Sequence, residues 1–204
     1  MIYIIHFFYG LIMGYLGLIS PGMLNMTALK ISLTTSKNNA VKFAFGAATV
    51  VFIQAGVALL FADYLVKNPE IINRLKIAGV FVFFILAIFF FYMSRKEFKT
   101  NTTNNKTNYI FRGVLMSAIN MLAIPFYLGL SIYLASIHKI IIKQPFILLF
   151  VIGASIGAFL LFYTYIVFAK IIKSKVSFIA KNINILLSVL FLFLGILTLV
   201  KLLS

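Results

Sequence analysis

Apolar runs of bilayer-spanning length alternate with short polar connectors along the whole chain. At a helical rise of about 1.5 Å per residue, a span needs about 20 such residues, and the pattern predicts about six of them. The first runs from Tyr3 to Ser20, followed by Gly22 to Thr34 as a shorter second half or an interfacial helix. After the turn-like Thr35-Ser36-Lys37-Asn38-Asn39, a second span covers Val41 to Tyr64. The Lys67-Asn68-Pro69-Glu70 connector breaks helix, because a residue before proline is pushed out of helical space. A third span covers Ile77 to Tyr92, and Ile110 to Ile137, Pro145 to Phe168 and Ile183 to Leu203 complete the set. Lys170, Lys173, Lys175 and Lys181 mark the expected loop before the last span.

One connector differs in kind. Residues 98–109 include Thr100-Asn101-Thr102-Thr103-Asn104-Asn105-Lys106, too polar to pack. It divides the chain into a three-helix unit over 1–97 and a second over 110–204. Each unit opens with an interrupted helix: Pro21-Gly22 in the first, Asn120 through Pro125 in the second. Each continues with a small-residue span, carrying Ala44, Gly46, Ala47 and Ala48, or Gly153, Ala154, Gly157 and Ala158. Units with an odd number of spans must lie upside down relative to each other, so the expected fold is all-α, an inverted three-plus-three repeat with helices 1 and 4 broken. Proline removes a backbone donor, and in lipid the freed groups survive only beside protein or a water-filled cavity. Both breaks are therefore expected to face one polar hollow between the halves. Gly10, Gly14 and Gly17 form a small-residue stripe on the first span, suited to packing within the monomer or against a second copy in a homodimer.

Composition agrees with a membrane protein: 63% hydrophobic and 10% charged residues, where soluble domains carry about 25% charge. The net charge of +15 does not point to nucleic acid. Lys and Arg sit between the apolar runs, with no folded soluble face to display them. With the N-terminus outside, Lys30, Lys37, Lys42, Arg95, Lys96, Lys99, Lys106, Arg112, Lys170, Lys173, Lys175 and Lys181 fall inside. Lys67, Arg74, Lys76, Lys139, Lys143 and Lys201 fall outside, so the positive-inside rule places both termini out. No basic residue precedes the first apolar run and no cleavage signature follows it, so a retained first span is expected. The Lys-, Ile-, Asn- and Phe-rich composition points to an AT-rich bacterial genome.

The chemistry available is sparse. There is no cysteine, and Asp63, Glu70 and Glu97, the three acidic residues, all lie outside the middle of a span. His6 and His138 fall near span ends and read as interfacial. No aspartate pair, Ser/His pair, His-Glu-x-x-His run or phosphate-binding glycine loop is present, so neither an enzyme nor a cofactor is expected. What remains is neutral. Backbone amides freed after Pro21-Gly22 would suit a substrate carboxylate, and Asn25, Gln54 and Asn120 offer donors and acceptors without burying a charge. The alternative role for these amides is interhelical packing, at about 0.6 kcal/mol each.

Ser20-Pro21-Gly22, the register of Ala40, Gly46 and Gln54, and Phe111-Arg112-Gly113 followed by Asn120 and Phe126-Tyr127-Leu128 together resemble the lysine exporter (LysE-type) translocator family. The chain departs from the family pattern at Met23, where a second proline is usual, and at Met121, where proline usually follows the asparagine. The resemblance implies an inner-membrane secondary transporter exporting amino acids or similar small metabolites, driven by an ion gradient. Its substrate-binding residues would be Pro21, Gly22, Asn25, Gln54, Asn120 and Pro125. A non-transporting structural or accessory membrane protein is the alternative.

Overall fold

A computed structural model describes residues 2–19, 22–68, 108–120 and 122–203, with 70–71, 80–81, 84–85, 87–88 and 91–92 between them. The expected polar linker lies almost wholly outside these residues, as do Pro21, Glu97 and half of the third span. Every described element is helical: α1 (Ile2–Gly17), α2 (Met23–Thr34), α3 (Lys37–Lys67), α4 (Tyr109–Ala118), α5 (Ala123–Ser136), α6 (Phe146–Val167) and α7 (Ala169–Leu203). Contacts divide the chain into two compact units, Met1–Val66 with Asn104–Lys173, and Lys67–Thr103 with Ser174–Ser204.

Among the described residues, α3 and α6 are long and apolar enough to cross a membrane. The pair α4–α5, bent by 63°, makes a third crossing if taken as one span. The first expected span falls short because its helix stops at Gly17, giving about 24 Å of rise against a hydrocarbon core of about 30 Å. The expected loop around Lys170 to Lys181 is instead the start of one continuous α7. No Gly or Pro occurs between Ala169 and Leu194, and lysine is a good helix former, so the basic residues punctuate charge without breaking the backbone. Within the second unit, Ser188 Oγ donates to Ala87 O at 2.9 Å.

In the first unit, burial runs opposite to that of a water-soluble bundle. The inward face of α3 is mostly small (Ala40, Ala44, Ala47, Ala55, Ala58 and Ala62), and its outward face carries Phe45, Ile53, Leu60 and Phe61. Phe45 is 60% exposed and Ala44 fully buried. Oil as solvent removes the drive to bury large apolar groups, leaving small residues to bring helices close. The helix starts are built from local chemistry. Asn108 caps α4 by accepting from the amides of Ile110 and Phe111, and Ser36 Oγ accepts from Asn39 N at the start of α3.

Close helix approach follows one motif, used twice. On α1, Gly10 faces the carbonyl of Phe150 and Gly14 that of Ala154; on α6, Gly153 faces Phe7 and Gly157 faces Leu11. A Cβ on any of these would overlap the opposite backbone. The glycine stripe of α1 is thus taken up inside the chain, and α1 and α6 run parallel. On α3, Gly46 faces the carbonyl of Ile110, and on α4 Gly113 faces that of Phe43. One register carries Phe7 and Gly10 onto Ile110 and Gly113, and a second carries Phe150, Gly153 and Ala154 onto Phe43, Gly46 and Ala47. The second register also carries Ser155 onto Ala48, and Ser155 Oγ donates to Ala48 O.

Candidate substrate site at two backbone breaks

A helix that stops leaves carbonyls in its last turn without their usual donors, and in an apolar interior each must be satisfied. At the first break α1 ends at Gly17 and α2 begins after Gly22, whose extended backbone serves as N-cap without a side-chain bond. Asn25 Nδ2 donates back to Leu18 O at 2.6 Å, and Tyr165 Oη donates to Ile19 O at 2.8 Å from α6. Tyr165 is also a hydrogen-bond partner of Asn25. Nearby, Ser32 Oγ donates to Ile166 O, and Tyr15 Oη pairs with Thr164 Oγ1. This break is closed by its own half and by α6 together.

At the second break α4 ends at Ala118 and α5 begins at Ala123. Asn120 N turns back to Ser117 O at 3.0 Å. Gln54, projecting from α3, donates through Nε2 to Ser117 O at 3.0 Å and to Asn120 O at 3.2 Å. Gly46 meets α4 near its start and Gln54 meets it near its end, so α3 and α4 also run parallel. The two breaks adjoin: the Phe126 ring, in the first turn of α5, lies against Gly17 at the end of α1.

The predicted residues thus separate. Gln54 and Asn120 come together at the second break, whereas Asn25 serves the first. Asn25 and Gln54 are buried, Asn120 is half-buried and Gly22 is exposed. Pro125 does not form the second break, which falls before it at residues 119–122. It is exposed in the first turn of α5, where a missing amide costs no helical bond, while Ala123 and Tyr127 turn inward. Pro21 lies outside the described residues.

Among the described residues, the buried atoms without a protein partner include Gln54 Oε1, Ser117 Oγ and Tyr127 Oη. Gln54 Oε1 and Ser117 Oγ belong to residues meeting at the second break, and Tyr127 stands one turn beyond Ala123 on the inward stripe of α5. Leaving such a group unpaired costs about 1–3 kcal/mol, so its usual companion is water or a ligand. Ser117 and Tyr127 were not singled out from the sequence. Ser117 had a signal, one turn after Gly113 on the stripe that faces α3, but Tyr165 reads only as one more span aromatic.

His6 corrects an expectation. Read as interfacial, it is 2% exposed. Its Nδ1 bonds Ile2 O at 2.8 Å, its Nε2 accepts from Ile141 N at 2.8 Å, and its ring stacks on Phe146 at 4.6 Å. With one nitrogen donating and the other accepting, the imidazole clamps the α5–α6 connection onto α1. His138 is exposed, as expected at a span end. Among the described residues, no His, Asp and Glu group could hold a metal ion.

Residues 15–202, which include both breaks and the close-packed helices α3, α4 and α6, match the family described as LysE type translocator. The chain belongs to the LysE type translocator family. Membership makes it a membrane translocator of amino acids or similar small molecules, and gives the lipid bilayer and a small-molecule substrate as its partners. No curated protein and no solved structure matches the chain.

Proposed function

We propose that this LysE type translocator is a secondary transporter that exports amino acids or similar small metabolites across a bacterial inner membrane. It uses an ion gradient, and its substrate site lies at the second backbone break. One observation carries the site: Gln54 spends its amide hydrogens on the carbonyls of the break, while Gln54 Oε1 and Ser117 Oγ stay buried without partners. A pure packing contact would be expected to satisfy both ends of the amide. Asn25, Gly22 and the uncapped first turn of α2 stand at the adjoining break, where open amides favour a carboxylate.

The repeated glycine motif supports six spans in an inverted three-plus-three repeat, with halves over 1–97 and 110–204, and the distribution of Lys and Arg supports both termini outside. Because α3 and α4 are parallel, a chain leaving the end of α3 has to cross the bilayer once before α4 begins. That crossing accounts for the apolar third run. A contact between equivalent positions, Ala48 and Ser155, is what a two-fold axis through the α3–α6 crossing requires. Substrate sites at repeat interfaces beside broken helices are the rule in such transporters.

The test is efflux from proteoliposomes loaded with a labelled amino-acid mixture, comparing the wild type with Gln54→Leu and Ser117→Ala after both are shown to fold. A loss of about tenfold or more in either variant is expected, the equivalent of about 1.4 kcal/mol. Wild-type vesicles that release nothing under any imposed ion gradient would favour the accessory-protein reading.

A further inference from the structure

Resting on that reading of the second break, we infer that the substrate is a zwitterion with an uncharged side chain, and that dibasic amino acids are rejected. The unpartnered atoms at the break are an amide oxygen and a hydroxyl, Gln54 Oε1 and Ser117 Oγ, and the Tyr127 hydroxyl is a further one, on the residue one turn beyond Ala123 in α5. All three accept from an ammonium or hydroxyl, the two hydroxyls can also donate one hydrogen each, and none carries charge. The α-ammonium of an amino acid brings its own carboxylate, so the net charge moved into the interior is zero. A second ammonium or a guanidinium brings none, and an unpaired ion in a medium this apolar is expensive.

The chain has little with which to offset it. Of its three acidic residues, Glu70 and Glu97 lie in polar connectors. Asp63 is on α3, but about 13 Å further along the axis than Gln54 and half-exposed near the helix end. The buried polar side chains among the described residues are His6, Asn25, Gln54, Ser117 and Ser131, none of them a carboxylate. The net charge of +15 adds a field that disfavours cations at both membrane surfaces.

The experiment is counterflow in proteoliposomes holding the wild type, preloaded in parallel with threonine, leucine, lysine, arginine or glutamate. Threonine or leucine is expected to exchange, with lysine and arginine slower by about tenfold or more. Ser117→Asp, which leaves the Gln54 bonds in place, is expected to narrow or reverse that ratio. Wild-type exchange of lysine or arginine at the rate of the neutral amino acids, or glutamate as the preferred substrate, overturns the inference. Gln54→Leu then separates the two readings. If lysine moves and Gln54→Leu stops it, the site stands and the neutral-substrate inference falls. If Gln54→Leu alters no substrate, the site itself falls, and the inference with it.

Discussion

The Ser155 hydroxyl donates to the Ala48 carbonyl at 2.8 Å, joining two positions that the shared glycine motif makes equivalent. On the proposed inverted repeat, two helices that touch at equivalent points touch where rocking of the halves would move them least. The bond itself is modest, about 0.6 kcal/mol for such contacts between membrane helices. Ser155→Ala is therefore expected to leave both thermal stability in detergent and transport near wild type. Ser155→Leu, which forces α3 and α6 apart at the crossing, is expected to lower the melting temperature and abolish flux.

The glycines predict a sharper contrast. Gly153→Ala on α6 and Gly46→Ala on α3 each place a methyl on an opposing carbonyl. Both are expected to destabilise by about 1–3 kcal/mol, and by similar amounts, because the geometry is shared. Gly56 has nothing within 4 Å of a would-be Cβ, so Gly56→Ala is expected to stabilise by about 0.5–1 kcal/mol. Unfolding in graded denaturing detergent, read by far-ultraviolet circular dichroism, checks all three.

Tyr165→Phe removes the hydroxyl that closes the Ile19 carbonyl and keeps the ring. The expected cost is about 1–3 kcal/mol, with increased protease or hydrogen-exchange access confined to the α1–α2 break. Tyr163→Phe, two positions away on the exposed face, is the matched control and is expected to be silent. Equal effects from both would mean that the break does not depend on this hydroxyl.

His6→Phe preserves stacking on Phe146 but leaves the Ile141 amide without its acceptor. Release of the segment between α5 and α6 is expected, seen as cleavage near residues 137–145 by protease added to the face where the chain starts. His6→Gln, which can still accept from Ile141, is expected to restore much of the protection.

Much of this architecture was legible because lipid imposes simple rules. The lengths of α3 and α6 follow from hydropathy, and the break between α1 and α2 follows from glycine, which few residues can imitate. The pairing of Gln54 with the second break was half legible: a polar residue deep in an apolar run needs a partner, but spacing could not name Ser117 and Asn120. Pro125 misled about where the fourth helix breaks, since proline is as comfortable in a first turn as at a kink. The Lys170–Lys181 stretch misled because charge marks a change of environment, while helix continuity is decided by backbone chemistry. His6 misled because burial in this protein depends on which loop folds back over a helix end, and that is a long-range fact.

Tyr165 and Ile19 lie 146 residues apart. During synthesis the first half therefore leaves the ribosome and enters oil with a bare carbonyl at its kink, to be covered only when α6 follows. Until then the nascent chain needs shelter from the insertion machinery, and products truncated before α6 should be recognised as unfinished and cleared by membrane quality-control proteases.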